Sequence, residues 1–256
     1  MLKVRIIPVV LLQGYSVVKS IRFSEMRNQG NPITVARIYD TRNVDELILL
    51  DIEASRNKTT IDLFTIEDIA SQCFMPLTVG GGLRSLDEIS AVLAKGADKV
   101  SINSMARKND GFIREASAMF GSQCIVVAID AIWHESSHRV YSHLDREPTD
   151  VNVLDWAKRV EELGAGEILL NSVDRDGTME GCDLALVRQI CEAVSIPVIA
   201  VGGVSRPEDG VSLVRAGASA VGASSIFHFT SFTPESLRLE LAAKGYPVRR
   251  EPKIEW

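Results

Sequence analysis

The chain switches repeatedly between two hydrophobic patterns. Short, continuous β-branched runs occur at Val4–Val10, Leu47–Ile52, Pro76–Val79, Lys99–Ile102, Ile125–Asp130, Glu167–Leu170, Pro197–Val201 and Ala220–Ala223. Amphipathic stretches of helical period separate them: Ile33–Arg42, Thr60–Gln72, Leu86–Ala94, Asp155–Leu163, Asp183–Ala193, Glu208–Ala216 and Pro234–Lys244. Strands that are apolar throughout, rather than on alternate positions, belong to parallel sheets covered on both faces. Eight such strands, each followed by a helix-sized segment, predict one (βα)8 barrel spanning residues 1–256. An open doubly wound sheet is the structural alternative. No Pro/Ser-rich linker divides the chain.

An internal repeat favours the barrel. PLTVGGGLRSLDEISAVLAKGADKVSINS from Pro76 aligns without gaps on PVIAVGGVSRPEDGVSLVRAGASAVGASS from Pro197, an offset of 121 residues. It pairs Gly81 with Gly202, Gly82 with Gly203, Gly96 with Gly217, Asn103 with Ser224 and Glu46 with Glu167. Two half-barrels, neither able to cover its own sheet edges, close one ring together. Barrel chemistry sits at the C-terminal ends of the strands. There the repeat puts two glycine turns, Gly81-Gly82 and Gly202-Gly203. Each is followed one strand later by a small polar pair, Asn103-Ser104 or Ser224-Ser225. Glycine admits close backbone approach, and such turns beside helix N-termini can hold anions. The pattern predicts an elongated ligand carrying a phosphate at each end.

Bulk properties remove several function classes. A net charge of −6 and a pI near 5.4 give no reason to expect nucleic acid as a partner. No apolar run approaches the ~18 residues of a membrane span. The N-terminal run MLKVRIIPVVLLQG reads as a buried strand rather than a signal peptide. Cys73, Cys124, Cys182 and Cys191 form no CxxC pair, and read as reduced, small core residues of a cytoplasmic protein. His134, His138 and His143 lie in IWHESSHRVYSHLDREP, whose alternating polar pattern predicts an exposed hairpin with solvated histidines rather than a metal site. Trp133 and Trp156 read as packing residues, and His228 as packed beside a short helix. No cofactor or metal is expected.

The segments RIIP at Arg5, VVK at Val17, LTVGGG at Leu77, GADKVSIN at Gly96, VVAID ending at Asp130, GAGEILL at Gly164, DRDGT at Asp174 and SIFHF at Ser225 resemble the cyclase subunit of imidazole glycerol phosphate synthase. The resemblance runs from about Leu2 to Arg249. It implies a lyase reaction within a glutamine amidotransferase complex of histidine biosynthesis. A glutaminase subunit docks on the N-terminal barrel face, and ammonia crosses the interior. At the opposite mouth it reacts with a bis-phosphorylated ribulosyl formimino aminoimidazole carboxamide ribonucleotide. By the same resemblance Lys19 contacts phosphate. Arg5, Glu46, Lys99 and Glu167 form a charged gate for ammonia, Asp98 lies at the glutaminase interface, and Asp130 and Asp176 are site acids.

One position departs from that pattern. The family carries an aspartate at the end of strand one, and here Leu11 stands in its place. Residues 6–21 contain no acid at all, and the next carboxylate is Glu25. General acid–base catalysis contributes about 10²–10⁴-fold per placed group, so the expected loss is severe. IPVVLLQGYSVVKS from Ile7 and NPITVARIYDTRNVDELILLDIEAS from Asn31 resemble the acetamidino-modification branch of surface-polysaccharide gene clusters. That resemblance implies relay of ammonia to a sugar amidotransferase. A working cyclase resting on Asp130 and Asp176 is the second expectation, and a non-catalytic activator of a glutaminase the third. Gly14 and Gly30 flank Lys19 in a segment expected to close over ligand.

Overall fold

The computed structural model describes residues 3–24 and 26–249. Its barrel strands are β1 (Arg5–Gln13), β4 (Leu47–Asp51), β5 (Leu77–Gly80), β6 (Lys99–Ile102), β7 (Ile125–His134), β10 (Glu167–Ser172), β11 (Val198–Val201) and β12 (Ala220–Ala223). They pair in parallel in chain order, and β12–β1 and β7–β10 pairings complete the ring. This is the closed barrel, not the open sheet.

Helices α1 (Pro32–Thr41), α3 (Leu63–Gln72), α4 (Leu86–Ala94), α6 (Gly111–Phe120), α7 (Val153–Glu162), α8 (Leu184–Cys191), α9 (Pro207–Arg215) and α11 (Pro234–Ala243) form the outer layer. Their starts are written locally. Ser85 and Glu88 form a capping box on α4, and Asn152 caps α7 through its side chain. The short helices α2 (Ala54–Asn57), α5 (Ser104–Lys108) and α10 (Ser225–Phe229) follow β4, β6 and β12 at the mouth.

Period-two alternation along β1 sends Ile6, Val10 and Leu12 outward to the helices. Ile7 and Val9 turn inward with Ile48, Val126, Leu169, Ile199 and Ala220, all buried in a second cluster. Leu11, Leu50, Ala128 and Val201 cap that inner stack toward the mouth. The interior is therefore packed and apolar, as side-chain layers inside such barrels are.

Two hairpins were not expected in this form. The segment around Lys19 is not an irregular loop. It pairs as β2 (Ser16–Lys19) on β1, with Leu11 opposite Val18, and then as β3 (Arg27–Gly30) on β2. β7 continues past Asp130 into β8 (Ser137–Ser142) and β9 (Glu147–Asn152). The repeat is visible in the backbone. Gly81 and Gly202 have φ of 128° and 105°, and Gly82 and Gly203 have 70° and 88°.

Candidate active site

At the floor of the barrel four charges form a closed ring. Arg5 donates to Glu46 at 2.8 Å and also to Glu167, and Lys99 donates to Glu46 at 2.9 Å and Glu167 at 3.0 Å. The carboxylates are buried, at 3% and 8% side-chain exposure, while Arg5 and Lys99 reach solvent at 25% and 22%. Thr78, fully buried, donates its hydroxyl to Glu46 at 2.5 Å. Buried charges persist only where paired in this way. Asp98, on the same face, is exposed and accepts the Leu77 N–H at 2.8 Å, which fixes the start of β5.

At the opposite end lies a cleft of about 310 Å³. Leu11, Lys19, Gly81, Gly82, Asn103, Ser104, Asp130, Asp176, Ser224 and Ser225 all line it. Asp130, 8% exposed, accepts from Asn103 Nδ2 at 2.8 Å and from Asn171 Nδ2 at 3.4 Å. Burial pushes its proton affinity up, and His143 and the two amides oppose that. Asn103 is thus engaged with Asp130, where the sequence suggested phosphate. Leu11 faces the lumen on β1, four strands around the ring from Asp130, and sits among apolar side chains.

Three further carboxylates line the cleft among the described residues. Asp51 accepts the N–H groups of Glu53 and Ala54, both at 2.9 Å, and starts α2. Glu53 accepts from Gln13 at 2.8 Å. Asp176 accepts from Ser20 at 3.1 Å, and burial raises it to about 6. Glu25, the next acid along the chain, lies outside the described residues.

Lys19 is buried at the cleft wall. Its Nζ donates to the Val9 carbonyl at 2.7 Å and to Ser224, which itself donates to the same carbonyl. Burial lowers the ammonium to about 7, with Asp176 acting in the opposite sense. The paired glycine turns have a steric origin. A Cβ on Gly82 would stand 1.9 Å from the Thr59 carbonyl oxygen, and one on Gly203 would stand 2.1 Å from that of Gly181. Chain packing alone therefore requires glycine at both. Gly202 and Gly203 do not line the cleft: Gly202 packs on the Ser172 backbone and Asn171, and Gly203 on Arg175 and Gly181, whose N–H bonds to Gly203 O at 2.9 Å.

The expected solvated histidines and the packing role of Trp133 need correction. Only His134 is solvated, at 51% side-chain exposure. His138 is buried and pairs with Asp183 at 2.9 Å, which joins the β8 hairpin to the N-cap residue of α8. His143 folds back over the mouth. Its Nδ1 is 4.0 Å from Asp130 and its Nε2 is 3.4 Å from Ser104 Oγ. Trp133 is 55% exposed and edges onto His138. Trp156 does pack against the core, and His228 lies within α10, its Nε2 3.1 Å from the Tyr39 hydroxyl. His138, Val140 and Ser142 alternate as the hairpin's buried face, which its polar sequence did not signal. The position of His143 over Asp130 was not readable.

A closed barrel with a salt-bridged floor, an apolar lumen and an acid-bearing mouth defines a (βα)8 protein organised around opposed ends. The histidine biosynthesis protein family pattern matches residues 5–233. The chain belongs to that family. It is 44% identical over 249 residues to the imidazole glycerol phosphate synthase subunit HisF of Pyrococcus furiosus, covering 97% of this chain and 99% of that protein. With the HisF subunit of Thermococcus onnurineus the identity is 46% over 249 residues, at the same coverage. Among the described residues no helix is long and apolar enough to cross a membrane.

Proposed function

We propose that this protein is a HisF-like barrel that takes ammonia from a glutaminase subunit at its floor and delivers it to a phosphorylated acceptor at its mouth. Its own cyclisation is weak, and its main service is to an amidation partner acting on a nucleotide-linked sugar. The observation that carries this reading is Leu11. An aliphatic side chain faces the lumen opposite Asp130, where a proton-transfer group would serve.

Physical chemistry supports the route. Neutral ammonia can pass a stack of Ile7, Val9, Ile48, Val126, Leu169 and Ile199, whereas ammonium would lose its hydration without compensation. The balanced ring of Arg5, Glu46, Lys99 and Glu167 would admit the small neutral species by transient opening. Phe74, 91% exposed just beyond α3 on the floor side, and Asp98 nearby suit a docked glutaminase, since exposed aromatic residues commonly anchor interfaces. Lys19, Ser104, Ser224 and Ser225 are the phosphate contacts of this reading; Gly81 and Gly82 line the same pocket, and Gly202 and Gly203 shape the second turn.

A specific observation favours a second reading, a working cyclase. Asp176, raised to about 6 beside Lys19, has the proton affinity expected of a group that exchanges protons near neutrality. The two readings part in one assay. Purified protein is given the bis-phosphorylated ribonucleotide and ammonium salt at alkaline pH, which bypasses the glutaminase. The relay reading expects turnover far below that of the P. furiosus subunit. Turnover equal to it establishes the cyclase. A purely regulatory role would instead appear as glutaminase stimulation that survives a plugged lumen.

A further inference from the structure

We propose that His143 is the proton-exchange partner of Asp130, so that the residual acid–base chemistry at this mouth, in the absence of a strand-one acid, runs through an adjacent histidine–aspartate pair. The inference rests on the delivery of ammonia to the mouth and names the group that handles the resulting protons.

Geometry carries it. His143 lies in the turn after β8 and lines the cleft beside Asp130, with Nδ1 4.0 Å from the carboxylate Oδ2. Asn103 donates to one oxygen of Asp130 at 2.8 Å and Asn171 to the other at 3.4 Å, which orients the carboxylate. The imidazole is anchored at its other edge, where Nε2 is 3.4 Å from Ser104 Oγ, and at its backbone, where Arg56 donates to the His143 carbonyl at 3.3 Å. Charged groups act on it from each neighbouring element: Asp130 from β7, Arg107 from α5, Arg56 from α2 and Asp145 from its own turn.

The pair has the right electrostatics. Burial raises Asp130 and lowers His143, while each charge restrains the other's shift. Both shifts favour the neutral forms, a carboxylic acid beside a neutral imidazole, and leave the pair one proton to exchange. That suits ammonia addition to a ketose carbonyl. The new C–N bond forms as the C=O π bond breaks. Nitrogen must shed one proton and oxygen must gain one. Neutral imidazole takes the first, protonated Asp130 gives the second, and transfer from imidazolium to carboxylate restores the pair with no further reactant.

The test has two arms. In protein labelled with ¹³C/¹⁵N-histidine, the His143 resonance is assigned by its loss in His143→Gln and titrated in wild type and in Asp130→Asn. Losing the partner that shares its proton should shift the His143 midpoint by about tenfold or more. An unchanged midpoint overturns the pair. The second arm uses ammonium-driven turnover of the ribonucleotide. His143→Gln should lower kcat by about 10²-fold, leave KM nearly unchanged and remove one limb of the pH profile. A His143→Gln enzyme with full kcat and the same profile overturns the proposal. If wild type shows no turnover, cyclisation by this chain is refuted, and the Asp130→Asn titration alone decides the pair.

Discussion

Glu46→Ala tests whether the floor ring is a tightly coupled structural unit. Glu46 is 3% exposed at its side chain and accepts from Arg5 at 2.8 Å, Lys99 at 2.9 Å and Thr78 at 2.5 Å. Truncation leaves both cations sharing Glu167 and leaves the Thr78 hydroxyl without its acceptor. Removing one partner from a buried ion pair costs roughly 3–5 kcal/mol, of which the orphaned hydroxyl accounts for about 1–2. Arg5 and Lys99 keep partial solvent contact, which points to the lower half of that range. For a domain of this size each kcal/mol moves Tm by about 2–4 °C, so a drop of about 6–16 °C is expected. Glu46→Gln retains an acceptor for Thr78 and should lose less. Thermal unfolding followed by circular dichroism measures both, and a cycle with Lys99→Gln measures coupling. A Tm within about 2 °C of wild type for Glu46→Ala, or strict additivity in the cycle, would refute the ring as a buried, coupled unit.

Three further outcomes are expected. Lys19 stands near 7 in the folded chain against its ordinary 10.5, so the unfolded chain binds more protons between those values and stability should rise with pH across that window; Lys19→Met, tested by urea unfolding at pH 7 and 10, should abolish the rise. Phosphate seated on Lys19 should draw a proton onto it, so calorimetry of inorganic phosphate at pH 8 in buffers of different ionisation enthalpy should register proton uptake, and lose it in Lys19→Met. Gly82→Ala should cost several kcal/mol, of order 3, because its Cβ would stand 1.9 Å from a backbone carbonyl oxygen that cannot move independently; a soluble variant with wild-type Tm would contradict the packing.

The barrel was legible because its strands are buried on both faces. Runs such as Ile125–Asp130 and Ala220–Ala223 carry a continuous apolar signal that survives without tertiary information. β3 and β9 carry none, since most of their residues keep contact with solvent and their pairing comes from the strands beside them. Asp130, Lys19 and the floor charges were found through motif resemblance, and the fold brings them to the two ends expected. The glycine turns were read as anion cradles on pattern alone, and the backbone packing around Gly82 and Gly203 supplies a sufficient steric reason for them. His143 escaped because alternation in a hairpin predicts which residues share a face, not which barrel strand that face covers.

The most direct test of the central claim is the ammonium-dependent turnover of Leu11→Asp beside wild type. The missing strand-one acid predicts a gain of about 10²-fold or more, with Asp130→Asn abolishing it. Wild-type turnover already matching that of the P. furiosus subunit, and unimproved by Leu11→Asp, would contradict the account.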